Sequence, residues 1–177
     1  MSYSWRRVGG LFFLGWLTIV AGGCATPRAG CYDVKITMAE SMADSSRILP
    51  SVEVHVLGLD PVSGRQLQAF SMSDYWNPSR KKDDFVKRVL HFGQGKENPQ
   101  VLSRRDSIWD RWLGAGAEHL FVIADLQGLY EDKEDVKDPR RLILPLDPKR
   151  WQNSTLQIVI EKGGVYCVTP RVPVESK

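Results

Sequence analysis

The sequence has 177 residues, of which 42% are hydrophobic and 25% are charged, a balance typical of one globular domain with a sizeable core. Lys and Arg total 24 and Asp and Glu total 21, so the net charge is only +3. Nucleic-acid binding needs a clustered excess of Lys and Arg, and this chain lacks one, so we expect no nucleic-acid partner.

The N-terminus has the pattern of an export signal. Arg6 and Arg7 precede an apolar run from Val8 to Val20, and the small residues 21–23 lead to Cys24. The run of about thirteen residues is too short to span the bilayer, which takes about 20 residues, and is typical of a signal-peptide core. The segment resembles the lipobox of bacterial lipoproteins, although Ala21 stands where leucine is usual.

This resemblance implies a signal peptide over residues 1–23, acylation of Cys24 and a lipidated tether over 24–30. An ordinary secretory signal and an uncleaved anchor remain as alternatives. Cleavage removes two arginines and no acid, so the net charge falls to +1. The tether extends at most about 20 Å, which keeps the domain close to its membrane.

The other cysteines, Cys31 and Cys167, form an even pair in an oxidising compartment. We expect them to be bridged, which would add about 4–5 kcal/mol by the chain-entropy model. Two unpaired, buried thiols are the alternative.

The first half of the domain begins with two alternating segments. Tyr32 to Met38 and Ser51 to Leu59 have the period of a half-buried strand, and Gly58 indicates a bulge or a close approach. Asp60 to Gly64 is predicted as a turn, followed by a return strand over Gln66 to Phe70. Two short helices are then predicted, over Asp83 to Phe92 and Ser107 to Trp112.

Strands dominate the second half. Leu120 to Ala124 is apolar throughout and predicts a central strand, whereas Pro145 in Leu142 to Leu146 indicates a sheet edge or a strand end. Leu156 to Ile160 and Val165 to Val168 flank a Gly-Gly pair, which predicts a hairpin. We therefore predict a mainly β protein, an immunoglobulin-like β-sandwich of about seven strands with one or two short helices over residues 31–173, followed by a tail at 174–177.

The sequence has no motif for catalysis or metal binding. His55, His91 and His119 are far apart and have no metal-ligand spacing, and His55 is expected on the polar face of its strand. A nucleophile elbow of the G-x-S-x-G type is absent. We therefore expect a protein that is not an enzyme and that has no cofactor and no metal.

Aromatic residues are the remaining signal. Tyr75, Trp76, Trp109 and Trp112 fall in the less regular segments of the chain. If they are exposed together, they would form a contact surface for a protein or for a sugar. Packing against the sandwich is the alternative.

The order of these segments resembles the type VI secretion lipoprotein family TssJ. The resemblance rests on the lipobox, on a first core strand at Pro50 to Leu57, on a middle strand at Phe121 to Asp125 and on the closing hairpin. It implies a transthyretin-like β-sandwich that is anchored in the outer membrane through acylated Cys24 and faces the periplasm. It also implies a periplasmic protein partner, a component of the inner-membrane secretion apparatus.

Three functions remain open. The first is a non-enzymatic envelope lipoprotein that docks a protein partner. The second is a carbohydrate or small-ligand module that uses the four aromatic residues. The third is an enzyme with a dispersed site.

Overall fold

The computed structural model describes residues 30–79, 85–126 and 138–173. The signal peptide, Cys24, most of the tether and the tail at 174–177 lie outside these ranges. The described strands are β1 (Asp33–Met38), β2 (Val52–Leu59), β3 (Lys87–Phe92), β4 (Gln100–Leu102), β5 (His119–Ala124), β6 (Arg141–Pro145), β7 (Thr155–Glu161) and β8 (Gly164–Cys167). The described α-helices are α1 (Pro61–Gln68), α2 (Met72–Trp76) and α3 (Ile108–Gly114). Among the helices in these ranges, none is long and apolar enough to cross a membrane.

The strands form two four-stranded sheets. The first sheet has the order β4-β1-β7-β8 and the second has the order β3-β2-β5-β6. Strands β1 and β7 are parallel, and the other strand pairs in the described ranges are antiparallel. The predicted mainly β sandwich is therefore confirmed.

The main core lies between the two sheets. Strands β1 and β7 alternate buried and more exposed positions, and their parallel register places Ile36 beside Ile158 on the inner face. Both side chains are almost fully buried, and burying one such side chain stabilises the fold by about 1.5–3 kcal/mol.

The outer face of the second sheet is also covered. Leu67 of α1, and Met72 and Tyr75 of α2, pack on Leu57 and Phe121 and form a second, smaller core. The first sheet differs, because its outward side chains Lys35, Val101, Gln157 and Tyr166 are exposed. Helices α1 and α2 therefore form a cover on one face of the sandwich, the outer face of the second sheet.

Two predictions are wrong because the structure has helix α1 there: the turn over Asp60 to Gly64 and the return strand over Gln66 to Phe70. The Asp60 carboxylate accepts hydrogen bonds from the amides of Val62 at 2.8 Å and Ser63 at 3.1 Å, and Pro61 occupies the first turn. An Asp cap followed by Pro is a helix start as much as a turn. The apolar face needed to cover the sheet decides in favour of the helix.

The predicted helix over Asp83 to Phe92 is also wrong. The structure places β3 at Lys87–Phe92 and pairs it with β2 from Val52 opposite Phe92 to Leu57 opposite Lys87. The helical spacing of a few apolar residues is a weak signal, and pairing with β2 along the whole of β3 overrides it.

The other assignments agree with the structure. Helix α3 matches the helix predicted at Ser107 to Trp112, and β5 lies inside its sheet as expected of an apolar strand. Strand β6 is an edge strand that ends at Pro145, and β7 and β8 form the predicted hairpin.

Gly58 confirms the predicted close approach. A Cβ atom added at Gly58 would lie 2.6 Å from Cγ and 2.7 Å from Cβ of Trp112. We expect Gly58→Ala to lower the free energy of unfolding by about 2–3 kcal/mol, because the indole has to move out of a packed core. Chemical denaturation measures this loss.

Gly114→Ala is the matched control. A Cβ at Gly114 would meet no atom within 4 Å, so this change should leave stability equal or raise it by about 0.5–1 kcal/mol through helix propensity. Equal effects of the two substitutions would contradict the packing argument.

Candidate functional site

The four aromatic residues do not form an exposed platform. Tyr75 is 4% exposed, Trp109 and Trp112 are each 1% exposed, and Trp76 is half-buried. Tyr75 and Trp76 belong to the cover on the second sheet, whereas Trp109 and Trp112 lie in the main core. The prediction of a shared contact surface is therefore corrected: the large aromatic faces are used for packing inside the domain.

His55 is buried, contrary to the expectation that it lies on a polar face. Its Nε2 lies 2.6 Å from Oε1 of Glu53, and its Nδ1 lies 2.6 Å from Oη of Tyr75. A carboxylate only accepts, so Nε2–H donates to Glu53; in the neutral imidazole Nδ1 then accepts from the Tyr75 hydroxyl. Burial, and then the charge of Glu53, raise the pKa of Tyr75 well above its usual value, which keeps this hydroxyl protonated.

The hydrogen bonds among Glu53, His55 and Tyr75 link helix α2 of the cover to the second sheet. We expect Tyr75→Phe to lower the free energy of unfolding by about 1–3 kcal/mol, because it removes a buried hydrogen bond to the imidazole. Tyr166→Phe is the matched control, since the Tyr166 hydroxyl bonds to the Gly163 carbonyl on the surface. Its effect should stay within about 0.5 kcal/mol in the same denaturation experiment.

Cys31 and Cys167 are both free thiols, contrary to the expected bridge. Ile36 of β1 pairs with Ile158 of β7, which pairs with Cys167 of β8, so the cysteines are separated by two strand spacings, about 10 Å. Cys31 also precedes Ile36 by about 16 Å of extended chain. Such a separation far exceeds the roughly 7 Å between Cα atoms that a disulfide tolerates.

In the part of the chain that the structure describes, no group of three His, Cys, Asp or Glu side chains could hold a metal ion. His91 Nδ1 lies 3.8 Å from Oε2 of Glu53, at the exposed end of the chain of contacts that leads to His55. The arrangement is that of a satisfied buried histidine, and it offers no nucleophile to a substrate.

One described surface feature with several hydrogen bonds of its own is the β1–β2 loop, residues 39–51. The Asp44 carboxylate accepts hydrogen bonds from the amides of Ser46 at 2.8 Å and Ile48 at 2.9 Å. The Asp44 amide donates to the Ile48 carbonyl at 3.0 Å, and the buried Met42 fixes the start of the loop. Hydrogen bonds within the loop therefore support its conformation.

The tip of this loop holds a backbone outlier. Arg47 has φ 61°, and among the described residues other than glycine it is the one with a positive φ. A left-handed conformation costs a residue with a side chain about 1–3 kcal/mol and persists where its surroundings impose it. Here the turn closed by Asp44 imposes it, and the result is that Ile48 is held 52% exposed.

A depression of about 650 Å³ lies beside the tip, lined by the loop and by Gln94. Glu40, Asp44 and Arg47 place charges on its wall, and Leu49 adds an apolar side chain. The exposed side chain of Ile48 therefore lies next to an open depression whose wall has both charged and apolar residues.

The loop lies at the opposite end of the sandwich from the predicted tether. Gly30 joins the fold at the end where β1 begins, and the loop follows Met38, where β1 ends. At about 3.3 Å per residue these ends are about 20 Å apart. We call them the Gly30 pole and the distal pole.

Sequence reasoning did not single out this loop. The run Asp44-Ser45-Ser46 between two strands is a recognisable turn signal. The exposure of Ile48 has no such signal, because it depends on which neighbours the fold brings to the loop.

Comparisons with known proteins concern the fold. A chain in the structure of the T6SS (type VI secretion system) protein TssM C-terminal domain (869-1107) from EAEC has a TM-score of 0.53 and 14% identity, and the match covers 77% of this chain and 99% of that chain. A chain of a type VI membrane complex has a TM-score of 0.51 and 14% identity, with 77% and 96% covered. The T6SS lipoprotein TssJ1 from Pseudomonas aeruginosa has a TM-score of 0.46 and 16% identity, with 80% and 96% covered.

No protein-family model matches the sequence, and no curated protein gives a significant match. The structural matches are therefore similarities of fold, at sequence identities too low to carry activity or partners. At that level they confirm the resemblance inferred from the sequence: the described domain has the fold of a chain of the type VI membrane complex.

Proposed function

We propose that the protein is a non-enzymatic lipoprotein of the bacterial cell envelope that docks a periplasmic protein as a component of a type VI secretion membrane complex. The similarity of its fold to a chain of such a complex is the observation that carries this proposal. The lipobox that ends at Cys24 adds the anchor, and we assign the anchored domain to the periplasmic face of the outer membrane. The partner is a periplasmic segment of the inner-membrane secretion apparatus.

The positions of tether and loop support this function. An anchor at the Gly30 pole holds one end of the sandwich within the reach of the six residues that follow Cys24, about 20 Å. The β1–β2 loop then points away from that membrane, toward the periplasm. Hydrogen bonds within the loop support its conformation, which lowers the entropic cost of ordering it on a partner.

The carbohydrate-binding alternative loses its basis. Stacking on a sugar requires an open aromatic face, and Tyr75, Trp109 and Trp112 are buried. No observation in the described residues favours this function over docking.

The anchor is tested by the mass of the protein extracted from membranes. We expect a mature chain that begins at Cys24 with attached acyl groups, and we expect Cys24→Ser to prevent this processing. A mature chain with an unmodified cysteine at position 24 would end the lipoprotein proposal, whatever the result for docking.

Docking is tested by the substitution Ile48→Asp. The periplasmic part of the inner-membrane secretion protein from the same genome is the binding partner in the assay. We expect its affinity to fall about tenfold or more, because a charge replaces an apolar contact at the tip of a rigid loop. Calorimetry with the purified proteins measures the change.

Val62→Asp is the matched control, because Val62 is 57% exposed, close to the 52% of Ile48, and lies on α1 outside the loop. It should leave the affinity within about twofold. Docking that is insensitive to Ile48→Asp would refute the assignment to this loop, and failure of the wild-type protein to bind would refute the secretion-system partner.

A further inference from the structure

The Gly30 pole carries a basic patch formed by Lys149, Arg150 and Arg171, all three exposed. Lys149 and Arg150 belong to the short 3₁₀ helix Pro148–Arg150. The Asp147 carboxylate caps this helix by accepting a hydrogen bond from the Lys149 amide at 3.0 Å. The two side chains therefore project from a fixed turn.

A second segment places Arg171 beside them. The Arg171 guanidinium lies 5.3 Å from the centroid of the Trp151 ring, and these two residues form an isolated β-bridge. The Val172 amide donates to the Arg150 carbonyl at 3.0 Å. The patch thus joins two segments that the backbone holds together, with the half-exposed Val172 at its edge.

The patch has an excess of positive charge. Asp147 is the acidic side chain within it, and its Oδ2 lies 3.9 Å from Nε of Arg150 while the carboxylate also caps the turn. Glu118 is exposed on a neighbouring segment, and its carbonyl accepts from the Leu146 amide. Lys149 and Arg171 remain available to an external anion.

The tether enters the fold against this patch. The Gly30 amide donates to the Leu146 carbonyl at 2.8 Å, and a Cβ added at Gly30 would lie 2.9 Å from Cγ of Pro148. A tether of at most about 20 Å therefore starts next to Lys149 and Arg150. If Cys24 is in the bilayer, the patch lies at the end of the domain that faces the headgroups.

We propose that the patch of Lys149, Arg150 and Arg171 binds the anionic phospholipid headgroups of the membrane that holds the anchor. The inference rests on the proposed acylation of Cys24. Each basic side chain close to an anionic surface adds a roughly fivefold preference for the bound state. The contact turns the domain upright, so that the β1–β2 loop points away from the bilayer.

The test uses the anchored protein, reconstituted into vesicles of phosphatidylcholine alone or mixed with phosphatidylglycerol. We expect hydrogen exchange of the amides at 149–152 and 171–172 to be about fivefold slower or more in the anionic vesicles at low salt. High salt should abolish the difference, because exposed charges are screened. Exchange in the β1–β2 loop should be equal in the two membranes.

Two triple variants with the same change in charge complete the experiment. Lys149→Glu, Arg150→Glu and Arg171→Glu together should abolish the protection, whereas Lys35→Glu, Lys96→Glu and Lys162→Glu, which change exposed lysines away from the Gly30 pole, should retain it. Equal exchange of the wild type in both vesicles, or loss of protection in the second variant, would overturn the proposal.

Mass spectrometry of the same samples distinguishes a failure of this proposal from a failure of the proposed function. If Cys24 carries no lipid, the lipoprotein assignment fails, and the same protein is sedimented with the two kinds of vesicle. Salt-sensitive binding to the anionic vesicles alone would then support the patch, and absence of binding would refute it.

Discussion

Replacing Asp138 with Ala is expected to lower the free energy of unfolding by about 3–5 kcal/mol, the typical result of breaking a buried ion pair. Asp138 is 4% exposed and Arg140 is 6% exposed. The Arg140 guanidinium donates to both carboxylate oxygens, at 2.9 Å from Nε and 2.6 Å from Nη2. Without the carboxylate, Arg140 and the neighbouring Arg141 are left as two buried positive charges.

The double variant Asp138→Ala with Arg140→Met distinguishes the cost of an unpaired buried charge from the cost of lost packing. It should be more stable than the single variant, because no charge of the pair stays buried without its partner. Urea denaturation of the three proteins measures both differences. A loss below about 1 kcal/mol in the single variant would contradict the buried ion pair.

The same pair predicts a dependence on pH. Burial acts to raise the pKa of Asp138, but the hydrogen bonds of Arg140 and the charges of Arg140 and Arg141 outweigh it and lower this pKa below its ordinary 3.8. Its stabilising contribution is therefore full above the unfolded-state pKa and is lost as the pH falls through the lower, folded-state pKa. As the pH is lowered below the ordinary carboxyl range, the free energy of unfolding should decrease less steeply for Asp138→Ala than for the wild type.

Replacing Trp112 with Ala is the second change with a large expected effect, about 3–5 kcal/mol. The Trp112 indole is 1% exposed and packs edge to face on Trp109, with ring centroids 5.1 Å apart. Its Nε1–H donates to the Val86 carbonyl at 2.7 Å. The substitution creates a cavity and removes the donor to that carbonyl. Thermal and chemical denaturation measure the loss.

Trp112→Phe and Gly58→Ala serve as comparisons. Phe retains much of the packing and loses the hydrogen bond, so it should cost clearly less than Ala. In the Trp112→Ala background, Gly58→Ala should become nearly neutral, because the side chain that a new Cβ would strike is absent. Additive effects of the two substitutions would contradict direct contact.

The strands could be predicted because their signals are local. Alternation in β1 and the Gly-Gly turn between β7 and β8 depend on neighbouring residues only, and the structure has both. The predicted sandwich follows from several such strands, since each must bury one face. The predicted apolar strand became β5, a central strand buried on both faces.

The failures occur where a segment has two locally acceptable structures. Asp60 and Pro61 begin a helix or a turn, and the outer face of the second sheet selects the helix. Val89 and Leu90 fit a helix or a strand, and the free edge of β2 selects the strand. The alternation in β2 predicts His55 on a polar face, but in the structure Tyr75 of α2 packs on it.

Sequence alone determined most strands and the mainly β class, and it predicts the export signal and the acylation motif at Cys24, because each depends on residue types at short spacing. Tertiary structure alone decided which aromatic residues are buried, that Cys31 and Cys167 are too far apart to pair, and that the β1–β2 loop and the basic patch lie at opposite poles. These features depend on contacts between segments distant in the chain, and such contacts leave no periodic pattern in the sequence.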